Sequence, residues 1–171
     1  MAQRSNVVTF KGNPITLVGE GIKVGQKAPD FQLTATDMST KTLGDFAGKV
    51  KVVSIVPSLD TPVCDTQTRK FNEAASSLGS DVVVLTVSMD LPMAQKRWCG
   101  AAGVDRVVCL SDYKDHSFGK SYGVRIQELG LLTRAVLVLD RDDVVRYQQL
   151  VGEVTQEPDY QAALEAAKRI V

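Results

Sequence analysis

The sequence predicts an α/β protein: a three-layer sandwich with a central mixed β-sheet and an N-terminal β-hairpin. Three observations predict it. Short runs rich in valine, leucine and isoleucine alternate with longer stretches of helical spacing, the order expected of strands joined through helices. One run, Val50–Val56, is almost continuously apolar, as in a strand buried on both faces. Two β-prone runs near the end of the chain enclose the turn Asp140-Arg141-Asp142-Asp143, which reads as an antiparallel pair. At 171 residues, with no internal repeat, low-complexity tract or long Pro/Gly/Ser linker, residues 1–171 are expected to form a single domain.

The elements follow in order. Val7–Phe10 and Ile15–Val18 flank Lys11-Gly12-Asn13-Pro14, two short β-prone runs around a Gly-Asn turn. Phe31–Thr34 alternates and reads as a strand, and Thr42–Phe46 as a short helical turn closed by Gly48. After the buried run Val50–Val56, the residues Thr68, Phe71, Ala75 and Leu78 recur every three or four positions and predict a helix ending near Gly79. Asp81–Ser88 is the next strand. Asp90 then reads as an N-cap and Pro92 as an early helical residue, with the helix running toward Gly100 and Gly103. Val107–Leu110 is a short strand, and Ser117–Tyr122 a helical turn ended by Gly123. Arg134–Leu139 and Val144–Leu150 are the antiparallel pair, and Pro158 opens a last helix with an apolar face of Ala162, Leu164, Ala167 and Ile170.

Composition narrows the function classes. Apolar residues make up 44% of the chain, charged residues 23%, and the formal net charge is zero, so nothing points to nucleic acid or an anionic membrane as a general partner. No apolar run approaches the roughly 18 residues needed to span a bilayer. The first residues, Met1–Asn6, open no apolar signal segment, and the expected location is the cytoplasm. Three cysteines are too few for a secreted disulfide scaffold, which leaves chemistry for one or two of them.

Cys64 is the chemical focus. It stands where a buried strand hands over to a helix, behind Pro57-Ser58-Leu59-Asp60-Thr61-Pro62-Val63. Helix starts carry unpaired N–H groups and a partial positive charge, and both stabilise a thiolate, the reactive form of cysteine. Polar Asp60, Thr61 and Asp65 around it weigh against an inert core cysteine. Thr61, three residues earlier, either caps the helix or offers its hydroxyl to a substrate oxygen. Pro57 either makes the turn or shields the sulfur from water. Arg134 starts what reads as a central strand, where a guanidinium needs an anion: a thiolate, or an aspartate such as Asp60 or Asp65. Cys99 lies near a helix end beside Trp98, and either packs there or acts as a second thiol. Cys109, in Val107-Val108-Cys109-Leu110, is read as a buried packing residue, and Met89 and Trp98 as core.

The spacing of Pro57, Thr61 and Cys64 resembles the active-site signature Pro-x-x-x-Thr-x-x-Cys of the peroxiredoxins. Gly25-Gln26-Lys27-Ala28-Pro29-Asp30-Phe31 is similar to that superfamily's opening strand. Trp98-Cys99-Gly100, Arg134-Ala135-Val136 and Glu157-Pro158-Asp159-Tyr160 resemble its bacterial thiol peroxidase subgroup, the atypical two-cysteine peroxiredoxins. The resemblance covers nearly the whole chain and implies a thioredoxin-like fold with an added N-terminal hairpin. It implies that Cys64 is the peroxidatic nucleophile, assisted by Thr61, Arg134 and Pro57. It implies that Cys99 is the resolving cysteine, and that a Cys64–Cys99 disulfide within one chain is reduced by thioredoxin. Hydroperoxide substrates, an antioxidant role and a homodimer are implied as well. No metal, haem, flavin or nicotinamide is implied; the cysteine pair carries the electrons.

Other chemistries fit the residues less well. Structural zinc sites use close ligand pairs, and Cys64, Cys99, Cys109 and His116 contain none. A cysteine hydrolase needs a histidine base, for which His116 is the only candidate. A disulfide oxidoreductase would carry Cys-x-x-Cys, whereas Thr61 and Gln67 stand at the positions three residues either side of Cys64. The alternative from another class is a redox sensor or interaction module using the same Cys64–Cys99 switch.

Overall fold

The computed structural model describes residues 2–171. In chain order its strands are β1 (Gln3–Phe10), β2 (Asn13–Val18), β3 (Leu33–Ala35), β4 (Thr40–Lys41), β5 (Val50–Ile55), β6 (Val82–Ser88), β7 (Val108–Ser111), β8 (Arg125–Ile126), β9 (Ala135–Leu139) and β10 (Val145–Leu150). The helices are α1 (Pro62–Leu78), α2 (Pro92–Ala102), α3 (Ser117–Ser121) and α4 (Tyr160–Arg169), with a 3-10 turn at Leu43–Phe46.

One mixed sheet runs in the order β10-β9-β5-β6-β7-β3-β4. The neighbours β5, β6 and β7 are parallel, and the other pairs are antiparallel. Parallel neighbours need long crossovers, which α1 and α2 supply. All of β5 is buried, as its apolar run predicts, and Val53 stands between Leu85 of β6 and Leu137 of β9. Alternate residues feed two cores. Val50, Val52, Val84, Val136 and Val138 pack with Phe71 of α1 and with Ala163 and Ala167 of α4. Val53, Ile55, Leu85, Val87, Leu137 and Leu139 pack with Phe118 and Tyr122, which stack on each other near α3. The result is the three-layer arrangement expected.

The hairpin forms with a shifted turn. Phe10 pairs with Asn13, so the connection is Lys11-Gly12, and both residues have positive φ, 51° and 82°. That two-residue geometry matches the right-handed twist of the strands it joins, and glycine adopts it without strain. Asn13, expected in the turn, is instead the first residue of β2. β8 adds to the other edge of β2, and Val8, Ile15, Leu17, Ile126 and Val154 make a small core beneath. At Gly123 a side chain has no room: its Cβ would lie 2.3 Å from the Gly21 nitrogen.

Other boundaries also differ from the sequence reading. β4 and β8 have two residues each, too few to leave a periodic pattern. The N-cap of α2 is Leu91, not Asp90. Pro158 precedes the cap of α4; Asp159 is the cap, and its carboxylate accepts from the Ala162 amide at 3.0 Å. The fully buried alanine near the start of that helix is Ala163, with Ala162 half-buried, because Ala163 and Ala167 form the face packed on the sheet. Among the described residues, no helix is long and apolar enough to cross a membrane.

Candidate active site

β5 ends at Ile55, and the backbone turns through Val56–Thr61 into α1. Pro62 occupies the first helical position, where its missing N–H costs nothing. Cys64 therefore lies in the first turn of α1. Thr61 is the N-cap by backbone conformation, yet its hydroxyl makes no capping bond. It donates instead to the Ser58 carbonyl at 2.9 Å. The first turn thus keeps its amides and their partial positive charge directed toward the site.

Cys64 has no accessible surface. Its sulfur accepts a hydrogen bond from Arg134 Nη2 at 3.3 Å. Arg134 itself is only 2% exposed, immediately before β9. Its Nε donates to the Val154 carbonyl at 2.8 Å and its Nη1 to Gln67 Oε1 at 2.9 Å. Gln67 is in turn fixed because its amide donates to Ser54 Oγ of β5 at 2.7 Å. A buried guanidinium thus has each edge occupied, and one edge faces sulfur. The alternative pairing of Arg134 with an aspartate does not form: Asp65 accepts from Arg69 Nε at 2.8 Å and from Trp98 Nε1 at 3.1 Å. Asp60 is exposed.

Beside this sulfur lies a cavity of about 260 Å³, lined by Pro57, Thr61, Val63, Arg134 and the hairpin residues Phe10 and Lys11, among others. Arg134 links the cavity to Cys64, since it lines the one and binds the other. Pro57 and Thr61, from the loop before α1, and Arg134, immediately before β9, all line this cavity. A guanidinium and a hydroxyl over a fully covered thiol can stabilise a thiolate and hold an oxygen that gains negative charge. Trp98 lines a second, more open cavity of about 470 Å³ with Asp60, Thr61 and Asp65. Met89 packs in the core on the other face of the sheet.

Cys99, half-buried in the last turn of α2, does not contact Cys64. Its sulfur lies 3.0 Å from that of Cys109, which is buried in β7 as the apolar run predicts. The hydrogen bond with Cys109 holds the Cys99 thiol below the usual range, against the opposing effect of burial. Cys109 is pushed up for the same reason, with burial adding to it.

Gln67 and Asp90 are the functional residues that sequence reading did not assign. Gln67 offers one signal, an amide on the buried face of an otherwise apolar helix stripe. Asp90 accepts from Ser58 Oγ at 2.7 Å, the Leu59 amide at 2.8 Å and Ser88 Oγ at 2.7 Å, so it pins the Cys64 approach loop to the end of β6. Its sequence context, one residue before Leu91-Pro92, reads equally as a helix cap.

The residues from 23 to 164 match the family model described as Redoxin. The chain belongs to the Redoxin family. Within it, this Redoxin is 58% identical over 161 residues to a thiol peroxidase of Halalkalibacterium halodurans, covering 94% of this chain and 96% of that protein. It is 56% identical over 164 residues to a thiol peroxidase of Streptococcus pneumoniae, covering 96% of this chain and all of that one. A solved peroxiredoxin-like protein from Aquifex aeolicus superposes with a TM-score of 0.91 at 43% identity, over 98% of both chains. The thioredoxin-like peroxiredoxin fold expected of this Redoxin is therefore its fold.

Proposed function

We propose that this protein is a thiol peroxidase that reduces hydrogen peroxide and organic hydroperoxides to water and alcohols, using Cys64 as nucleophile. The observation that carries this reading is the buried Arg134 guanidinium donating to the Cys64 sulfur beside a cavity. The Cys64 thiolate attacks one peroxide oxygen. The S–O bond forms as the O–O bond breaks, and the departing oxygen leaves as water or alcohol after taking a proton. Arg134 stabilises the sulfur before attack and the oxygen charge during it. Thr61, on the cavity wall, orients the peroxide, and Pro57 keeps water from the thiolate. Cys64 is left as sulfenic acid.

Cys99 then condenses with the sulfenic acid, giving a Cys64–Cys99 disulfide within one chain and releasing water. Cys99 lies in a last helical turn and Cys64 in a first, where local opening costs least, and one or both ends unwind for them to meet. A thioredoxin-type dithiol reduces that disulfide by exchange. The protein is proposed to work as a homodimer in the cytoplasm, with residues 1–171 as one domain.

Replacing Cys64 by serine is expected to abolish peroxide turnover, because a hydroxyl is scarcely ionised at neutral pH. Turnover that persists in the Cys64→Ser variant would remove Cys64 from this role. A Cys99→Ser variant is expected to consume peroxide once and then stall with thioredoxin as reductant. Normal recycling would exclude Cys99 as the resolving residue.

A further inference from the structure

The mechanism uses two cysteines and leaves Cys109 without a task, yet Cys109 is the thiol that Cys99 touches. Their sulfurs are 3.0 Å apart, and closing them to the ~2.05 Å of a disulfide requires about 1 Å of movement. The pair lies at an open cavity of about 310 Å³, bounded also by Lys96 and Asp105, through which a soluble dithiol can reach it. Cys99 sits in a last helical turn followed by Gly103 in the left-handed region, which permits its sulfur to swing.

We propose that Cys99 and Cys109 are a second redox-active dithiol, which takes over the disulfide first formed at Cys64. The route rests on the resolving role proposed above for Cys99. Before oxidation the two sulfurs lie within hydrogen-bond distance, and either can donate; in this route Cys109 donates and Cys99 attacks. Cys99 thiolate attacks the Cys64 sulfenic acid: the S–S bond forms, the S–O bond breaks, and the leaving hydroxide becomes water with the proton that Cys109 held. Cys109, now a thiolate, attacks the Cys99 sulfur. The Cys99–Cys109 bond forms as the Cys64–Cys99 bond breaks, and the electron pair returns to Cys64, where Arg134 stabilises it. No electrons are gained or lost in this second step; the disulfide moves from beside Arg134 to a pair that lines a separate cavity, and Cys64 is free to react again before any reductant arrives.

Two measurements test this. With reductant absent, wild-type protein is expected to consume about two equivalents of hydrogen peroxide per chain, the second ending as Cys64 sulfenic acid, against about one for Cys109→Ala. Peptide mapping of alkylated wild-type protein after one equivalent is expected to give the Cys99–Cys109 link with Cys64 alkylated. A stable Cys64–Cys99 link with Cys109 alkylated would overturn the proposal. In a Cys64→Ser variant, oxidised glutathione is expected to join Cys99 to Cys109; glutathione left on Cys99, with no link, would overturn it as well. A persistent Cys64 sulfenic acid in wild-type protein, together with that link in the variant, would refute the resolving role of Cys99 while supporting the pair.

Discussion

Arg134 donates to three acceptors from two parts of the chain: the Cys64 sulfur and the Gln67 amide oxygen of α1, and the Val154 carbonyl. A planar fork held at two edges has little freedom left at the third, so its charge is placed in advance of the reaction. Truncating Arg134 to alanine is expected to slow oxidation of Cys64 by about 10²–10³-fold, measured by stopped-flow mixing with hydrogen peroxide. Gln67→Leu should leave the cavity and both cysteines intact but strand Nη1 without an acceptor. Its expected signature is a rate loss of about tenfold and a stability loss of about 1–3 kcal/mol; an unchanged rate would mean that Arg134 needs no support from α1. Cys64 was legible in the sequence because its environment is local, a strand end and a helix start. The part played by Gln67 was not, because it depends on an arginine that meets it only in the folded chain.

At the scale of elements, the N-terminal hairpin and the Gly152–Thr155 segment form one wall of the Cys64 cavity, and Glu153 holds them together. Its carboxylate accepts from the Gly12 amide and Thr9 hydroxyl, each at 2.8 Å, and from the Thr155 amide at 2.9 Å. Those donors hold its pKa down to about 2, from an ordinary 4.5. A depressed folded value means that this contribution is complete above the ordinary carboxylate range and is lost as pH falls through the folded value. The melting temperature of Glu153→Gln is therefore expected to lie below wild type at neutral pH, with the gap closing as pH falls toward about 2; a gap independent of pH would exclude the carboxylate as its source. Strong periodicity made β5, β6, α1 and the β9–β10 pair legible. β8 and the cap of α2 were not: a two-residue strand exists only because β2 offers it an edge, and Asp90 is drawn to Ser58 and Leu59 across the sheet end rather than to its own helix.

For the whole molecule, β5 supplies side chains to both large cores, and the hairpin adds a third beneath β2 and β8. The two large cores are joined through one sheet, and the hairpin's separate three-stranded sheet is tied to them by bonds such as Thr9 to Gly152 and Val154 to Thr9, so all three should melt together. Far-ultraviolet dichroism and Trp98 fluorescence are expected to report a single coincident transition, and separate midpoints would show the hairpin to be an independent unit. Phe71, fully buried between α1 and the sheet and edge-on to Tyr160, is expected to cost about 3–5 kcal/mol when changed to alanine, measured by urea unfolding. Sandwich architecture was readable from the order of elements alone, whereas the facing of Cys99 toward Cys109 rather than Cys64 was not, since it depends on how α2 lies over β7.

The bond from Arg134 to the Val154 carbonyl also has a consequence in time. A ribosome delivers the nucleophile long before it delivers the backbone oxygen that orients its guanidinium. While the polypeptide is still growing, the guanidinium lacks this acceptor, and its three-way placement beside the Cys64 sulfur is complete only once translation has passed Val154. The charge beside the sulfur is thus fixed in place only when nearly the whole length of the chain has emerged.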